Sequence, residues 1–143
     1  MKLYFILVVA LLSCETYSKE TLVQKVVYSE ASPLVASDFE RYLIISVIKN
    51  RINNKHFSHG RFDSVNDVLK ARNAFTSVSY RNSNWYASKC AKTLNKINKL
   101  LNKKPYPDIT LYHDKSISKP KHWQNVVKVC ETENFIFYKI KKG

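Results

Sequence analysis

Apolar residues at Leu22, Val23, Val26 and Val27 recur at helical spacing and predict a first helix over Leu22–Ser29. Ser32-Pro33 should close it, because the residue before a proline is biased out of the α region. A longer pattern follows. Phe39, Leu43, Ile44, Val47, Ile48 and Ile52 trace one apolar stripe, opened by Ser37 with Glu40 three residues on, which is a capping box. This is the predicted central helix, with Asn50-Arg51 near its end and a loop from Asn53 to Gly60. Ser64 caps a short helix at Val65–Lys70, and Ala74 to Val78 reads as extended or loop. A further helix is expected from about Trp85 to Leu101, with Tyr86, Cys90, Leu94, Ile97 and Leu101 inward and a Lys/Asn-rich face outward. Lys103 to Pro107 breaks it.

The end of the chain changes period. Ile109–His113, Val126–Cys130 and Phe135–Ile140 read as strands, the last two forming an antiparallel hairpin around Glu131 to Asn134. Helices first and a small antiparallel sheet last make an α+β domain.

The run Leu3 to Leu12 is apolar throughout and follows Met1-Lys2. It is too short to span a bilayer and fits the h-region of a signal peptide, so the expected organisation is a signal over 1–18 and a single domain over 19–143 of an exported chain. Leu11-Leu12-Ser13-Cys14 offers a second processing route, since it resembles a lipobox that would place a lipid anchor on Cys14; the Leu at its second position is poor for that pattern. Export permits disulfides, and with the signal removed Cys90 and Cys130 remain, so a Cys90–Cys130 bond is expected, against the alternative of two buried free thiols.

The formal net charge is +13 over 143 residues, with Lys and Arg spread along the chain. Such a surface favours polyanions, and for an exported protein the anionic polymers of the envelope come first; a biased composition would give the same charge without a partner. Two glycines exclude the Gly-rich phosphate loops of nucleotide-binding folds, and no cofactor is expected. His56-x-x-His59 with His113 is a weak metal pattern, lacking a Cys or acidic partner at a diagnostic interval, so surface and packing roles are expected for these histidines and no metal site.

Carboxylates are few enough to weigh singly. Glu40 has a capping duty, Asp63 and Asp67 fit helix starts, and Glu131 and Glu133 fall in the hairpin turn. Glu30 closes the first helix, in VVYSEAS, with no such duty. A carboxylate at the negative end of the helix dipole is locally unfavourable, which favours the protonated form a general acid needs. A solvated loop glutamate is the plain alternative.

Several segments, taken in order, resemble the SleB-like cell-wall hydrolases. Val26-Val27-Tyr28-Ser29-Glu30-Ala31 resembles their catalytic Glu-Ala element. Leu43 to Phe57 resembles the helix that carries an Asn-Arg pair. Val65 to Val78 resembles the segment holding Gln-Phe-Ser, with Ala74-Phe75-Thr76 at that place. Leu111-Tyr112-His113-Asp114, Trp123 and Asn134 to Tyr138 resemble the C-terminal strands. The chain departs from the family at Ala74 (usually Gln) and at Asn134 (usually His), and it lacks most of the family's Gly-rich connections.

The resemblance implies a lysozyme-like domain acting on peptidoglycan glycan strands. It would cut the MurNAc–GlcNAc bond as a lytic transglycosylase, with Glu30 as acid and then base. One carboxylate suffices there, whereas ordinary glycosidases need two. Thr76 and Tyr112 would orient Glu30 or the sugar. Phe75 and Trp123 would line the cleft or pack, and Arg51 would bind glycan or pair with a buried acid. Two other readings stay open: a non-catalytic cationic binder of the envelope, or inhibitor of another hydrolase, on the same fold; and a secreted nucleic-acid binder or nuclease, for which the chain lacks a metal-carboxylate cluster and a recognisable motif, so no nucleic acid is expected.

Overall fold

The computed structural model of the protein describes residues 21–31, 35–71, 75 and 91–142. Helix α1 is Leu22–Glu30, α2 is Asp38–Arg51, α3 is Val65–Lys70 and α4 is Ala91–Leu101. Strands β1 (Leu111–Asp114), β2 (Val126–Glu131) and β3 (Phe135–Ile140) follow, in an antiparallel sheet of order β1-β3-β2. The fold is α+β and lysozyme-like, helical first with a three-stranded sheet last. The signal segment, Ser32-Pro33 and the stretch from Trp85 to Cys90 lie outside the described residues. No described helix is long and apolar enough to cross a membrane.

Local sequence explains the helix starts. Ser37 and Glu40 form the expected capping box on α2, and Ser64 caps α3 through the Asp67 amide. Thr21 and Gln24 form a second capping box at α1, which the apolar pattern alone did not signal.

Helix α2 is more deeply set than one stripe implies. It packs on α1, α3, α4 and β1 together. Its buried residues therefore include Arg41, Ile45 and Ser46 as well as Leu43, Ile44, Val47 and Ile48. Phe39, expected in the stripe, is 54% exposed. It lies in the first turn, where it tilts against Tyr42 at 6.2 Å between centroids. The core is completed by Val26, Val27, Val68, Leu69, Ile97, Ile109 and Phe137. On α4, Leu100 is buried and Leu101, expected inward, is half-buried.

The segment between α4 and β1 is tied to α2 by side chains. Asn50 Nδ2 donates to the carbonyls of Tyr106 (2.7 Å) and Ile109 (2.9 Å). Ser46 Oγ accepts from the Tyr106 amide at 2.9 Å. At the other end of the sheet, Glu40 is 2% exposed. It accepts hydrogen bonds from Thr132 Oγ1 (2.7 Å) and from the backbone and side-chain amides of Asn134 (2.9 and 3.1 Å), and so fastens the β2–β3 turn to the start of α2.

The expected Cys90–Cys130 disulfide is not seen among the described residues: Cys130 stands as a free thiol on β2, packed against the edge of the core, with its pKa raised by burial. Cys90 lies outside the described residues.

Candidate active site

Helix α1 ends at Glu30, and β1 returns to meet it. Tyr112 Oη donates a 2.8 Å hydrogen bond to the Glu30 carboxylate. Aromatic packing sets the phenol's direction. The Tyr112 ring stacks on Phe137, its cross-strand partner, at 5.7 Å and 26°, and meets the edge of Phe135 at 5.7 Å and 80°. Burial and the adjoining Glu30 carboxylate push the Tyr112 hydroxyl well above its usual range, so it stays a donor at any working pH. Both residues keep partial exposure.

A buried cation stands beside this pair. Arg51, the last residue of α2, is 6% exposed and donates from Nε to the Thr110 carbonyl at 2.8 Å. Its guanidinium lies over the rings of Phe57 (4.7 Å) and Phe75 (5.3 Å). Burial lowers its pKa to about 10, while the fields of Tyr112 and Glu30 act in the opposite sense. Arg51 is therefore charged at neutral pH, and its charge is stabilised by the Glu30–Tyr112 pair.

The loop after α2 brings Phe57 into position. Asn53, Ser58, His59 and Gly60 all take positive φ, and the Asn53 amide closes the loop on the Phe62 carbonyl at 2.7 Å.

The opposite face of the sheet holds a separate cluster. His113 stacks on Tyr138 at 5.6 Å, and Trp123 meets the Tyr138 ring edge-on at 5.9 Å. His113 Nδ1 lies 2.8 Å from the Asp114 carbonyl, which can only accept, so Nδ1 carries the proton. In the neutral ring Nε2 then accepts from Tyr138 Oη, 3.0 Å away. Trp123 thus packs across the sheet from Glu30.

The structure accordingly brings together Glu30, Tyr112, Arg51 and Phe75, and places Trp123 elsewhere. Thr76 and Ala74 lie outside the described residues. His56 and His59 are exposed and His113 is buried on the far face; no cluster among the described residues could hold a metal ion. Sequence reading missed Phe57, whose role appears only once the loop is folded, and Thr110, whose carbonyl holds Arg51. It also gave Glu40 a cap and nothing more. Asn134, one of the departures from the family pattern, serves the Glu40 anchor rather than the Glu30 site, its Nδ2 also reaching the Val35 carbonyl at 2.8 Å.

The fold as a whole is similar to the catalytic domain of the Bacillus cereus SleB protein, known from its crystal structure, with a TM-score of 0.61 at 19% identity over 87% of this chain and 94% of that one. No curated protein matches the chain by sequence. Residues 37–138 match the Cell Wall Hydrolase family model, most of the chain, and the protein belongs to that family.

Proposed function

We propose that this protein cleaves the glycan strand of peptidoglycan at the MurNAc–GlcNAc bond, as a lytic transglycosylase with Glu30 as the single acid and base. The observation that carries the reading is the Tyr112–Glu30 hydrogen bond at the end of α1, backed by the buried Arg51. The protonated Glu30 gives its proton to the glycosidic oxygen as the bond from C1 to that oxygen breaks. The resulting carboxylate then takes the proton of the sugar's own 6-hydroxyl as that oxygen closes on C1, leaving a 1,6-anhydro ring. Tyr112 hydrogen-bonds the carboxylate between the two transfers.

A single carboxylate accords with the surroundings. Asp38 is paired with Arg41 and Lys96, Glu40 is held by the hairpin turn, and Glu131 is paired with Lys115 and Lys128. A hydrolytic glycosidase would need a second acid beside Glu30. The substrate places the active protein outside the cytoplasm, to which the apolar segment within 1–18 would direct it.

The test is muropeptide mass spectrometry after digestion of purified wall. Anhydro-muramic ends are expected, and Glu30→Gln should lower their yield by about 10²–10⁴-fold. Reducing ends would replace transglycosylation by hydrolysis, and equal clearing by wild type and variant would remove Glu30 from the reaction.

A further inference from the structure

The sheet face that carries Tyr112 continues past it into an open cavity of about 510 Å³. Thr110 lies two residues before Tyr112, about 7 Å along the strand. Its amide donates to the carbonyl of Tyr138, the residue that Leu111 faces across the sheet, at 3.0 Å, so the chain is already bonded to β3 just before β1, next to Lys139. Thr110 and Lys139 line the cavity, with His56 and Asp108 at one side and Val127 and Lys141 at the other.

Two features mark it as built for a ligand. Thr110 is 2% exposed, and its Oγ1 has no hydrogen-bond partner in the protein. A buried hydroxyl without a partner is costly, and a turn of the Thr110 side chain toward the cavity would let a ligand atom relieve that cost. The wall is also strongly basic, and neither Lys139 nor Lys141 takes part in the ion pairs formed among the described residues. Asp108, held at φ 63°, adds one negative charge to the same wall.

Several cations, one carboxylate and a hydroxyl suit a zwitterion better than a dianion, because Asp108 would repel a phosphate. We propose that the cavity is a subsite for the amino-acid end of a peptide stem borne by the glycan strand. The stem's carboxylate is held by Thr110 Oγ1 and the ammonium groups of Lys139 and Lys141, and its free amino group by Asp108. This rests on the glycan-cleaving reading of Glu30 and deepens it: the site selects strands that still carry uncrosslinked stems.

The test compares kcat/KM on stem-bearing strands with kcat/KM on strands stripped of their peptides. Wild type is expected to prefer stem-bearing strands, and K139Q/K141Q to reduce that ratio about fivefold to tenfold. Thr110→Val should reduce the ratio while leaving the thermal midpoint unchanged or raised, since its hydroxyl serves no protein partner. The double variant K92Q/K99Q on α4 removes the same charge from a distant exposed face and should keep the wild-type ratio. No wild-type preference, or equal loss in K92Q/K99Q, overturns the subsite. A loss that vanishes on walls freed of phosphate polymers but not of stems means that the cavity reads phosphate, which also overturns it. Should neither strand be cut, the glycan-cleaving reading fails by itself. Calorimetric titration with a soluble stem tetrapeptide then decides the subsite: binding weakened by K139Q/K141Q supports it, and no binding to wild type refutes it.

Discussion

Tyr112 on β1 and Glu30 at the end of α1 are 82 positions apart in sequence and 2.8 Å apart in space. The bond joins the helical part of the fold to its sheet at the residue proposed to move the proton. Tyr112→Phe removes only the hydroxyl and keeps the stack on Phe137. It should lower kcat and kcat/KM together by about 10–100-fold, corresponding to about 1–3 kcal/mol of lost hydrogen bonding to a charged group. Rates on peptidoglycan, with a melting curve to confirm folding, check this. A variant as fast as wild type would reduce Tyr112 to a packing residue.

Arg51 illustrates a buried cation kept for geometry. Its plane sits against Phe57 and Phe75, and its Nε reaches the Thr110 carbonyl. Arg51→Met should destabilise the fold by about 2–4 kcal/mol, because the Thr110 carbonyl and the charge beside it lose a partner. Arg51→Lys keeps the charge but cannot offer the same flat fork, so it too should lose stability while retaining more activity than the methionine variant. Denaturant unfolding and turnover, measured side by side, separate the two effects. Wild-type stability in Arg51→Lys would mean that the ring contacts contribute nothing.

The Asn50 amide points two hydrogens at two carbonyls, those of Tyr106 and Ile109. Asn50→Ala should cost about 1–3 kcal/mol by orphaning both. Asn50→Asp should cost more, since an ionised carboxylate would face the same two oxygens. The expected order of denaturation midpoints is wild type, then alanine, then aspartate. Aspartate above alanine would show that the loop can turn away and that Asn50 does not hold it.

Local rules carried the chain's elements further than its site. Ser37 and Glu40, Ser64, and the β2–β3 hairpin were legible because caps and strand alternation are written in adjacent residues. The depth of α2 was not legible: burial of Arg41 and Ser46 follows from four neighbouring elements, which no single-helix pattern encodes. Phe39 failed for the complementary reason, since apolar spacing continues into a first turn that the core does not reach. Glu30 and Tyr112 could each be named from the family resemblance, but their bond depends on how the sheet docks. For Trp123 both cleft lining and packing stayed open, because its strand-free segment offers no period from which to read a face; it packs on His113 and Tyr138. Glu40 was hidden by its own local explanation, as a residue that caps a helix can also anchor a hairpin.

That anchor has a pH signature. Burial alone would raise the Glu40 carboxyl, but hydrogen bonds from Thr132, Ser37 and Asn134 outweigh it, and the group lies below its ordinary 4.5. A pKa depressed by folding means that the unfolded chain binds the proton more tightly. The stability this contributes is complete above the unfolded value and is lost as pH falls through the folded one. Asp38, Asp114 and Glu131 are depressed as well and steepen the acid limb of any variant equally, so the informative quantity is the difference from Glu40→Gln. At pH 7 that variant should be less stable by about 2–3 kcal/mol, because its amide turns a donor toward groups that themselves donate. As pH falls below the ordinary 4.5 toward the lowered folded value the gap should narrow, since protonation then takes from wild type the bonds that only the carboxylate accepts. Urea unfolding of both proteins between pH 7 and pH 3 measures the gap, and parallel curves over that range would show that Glu40 does not anchor the hairpin as a carboxylate.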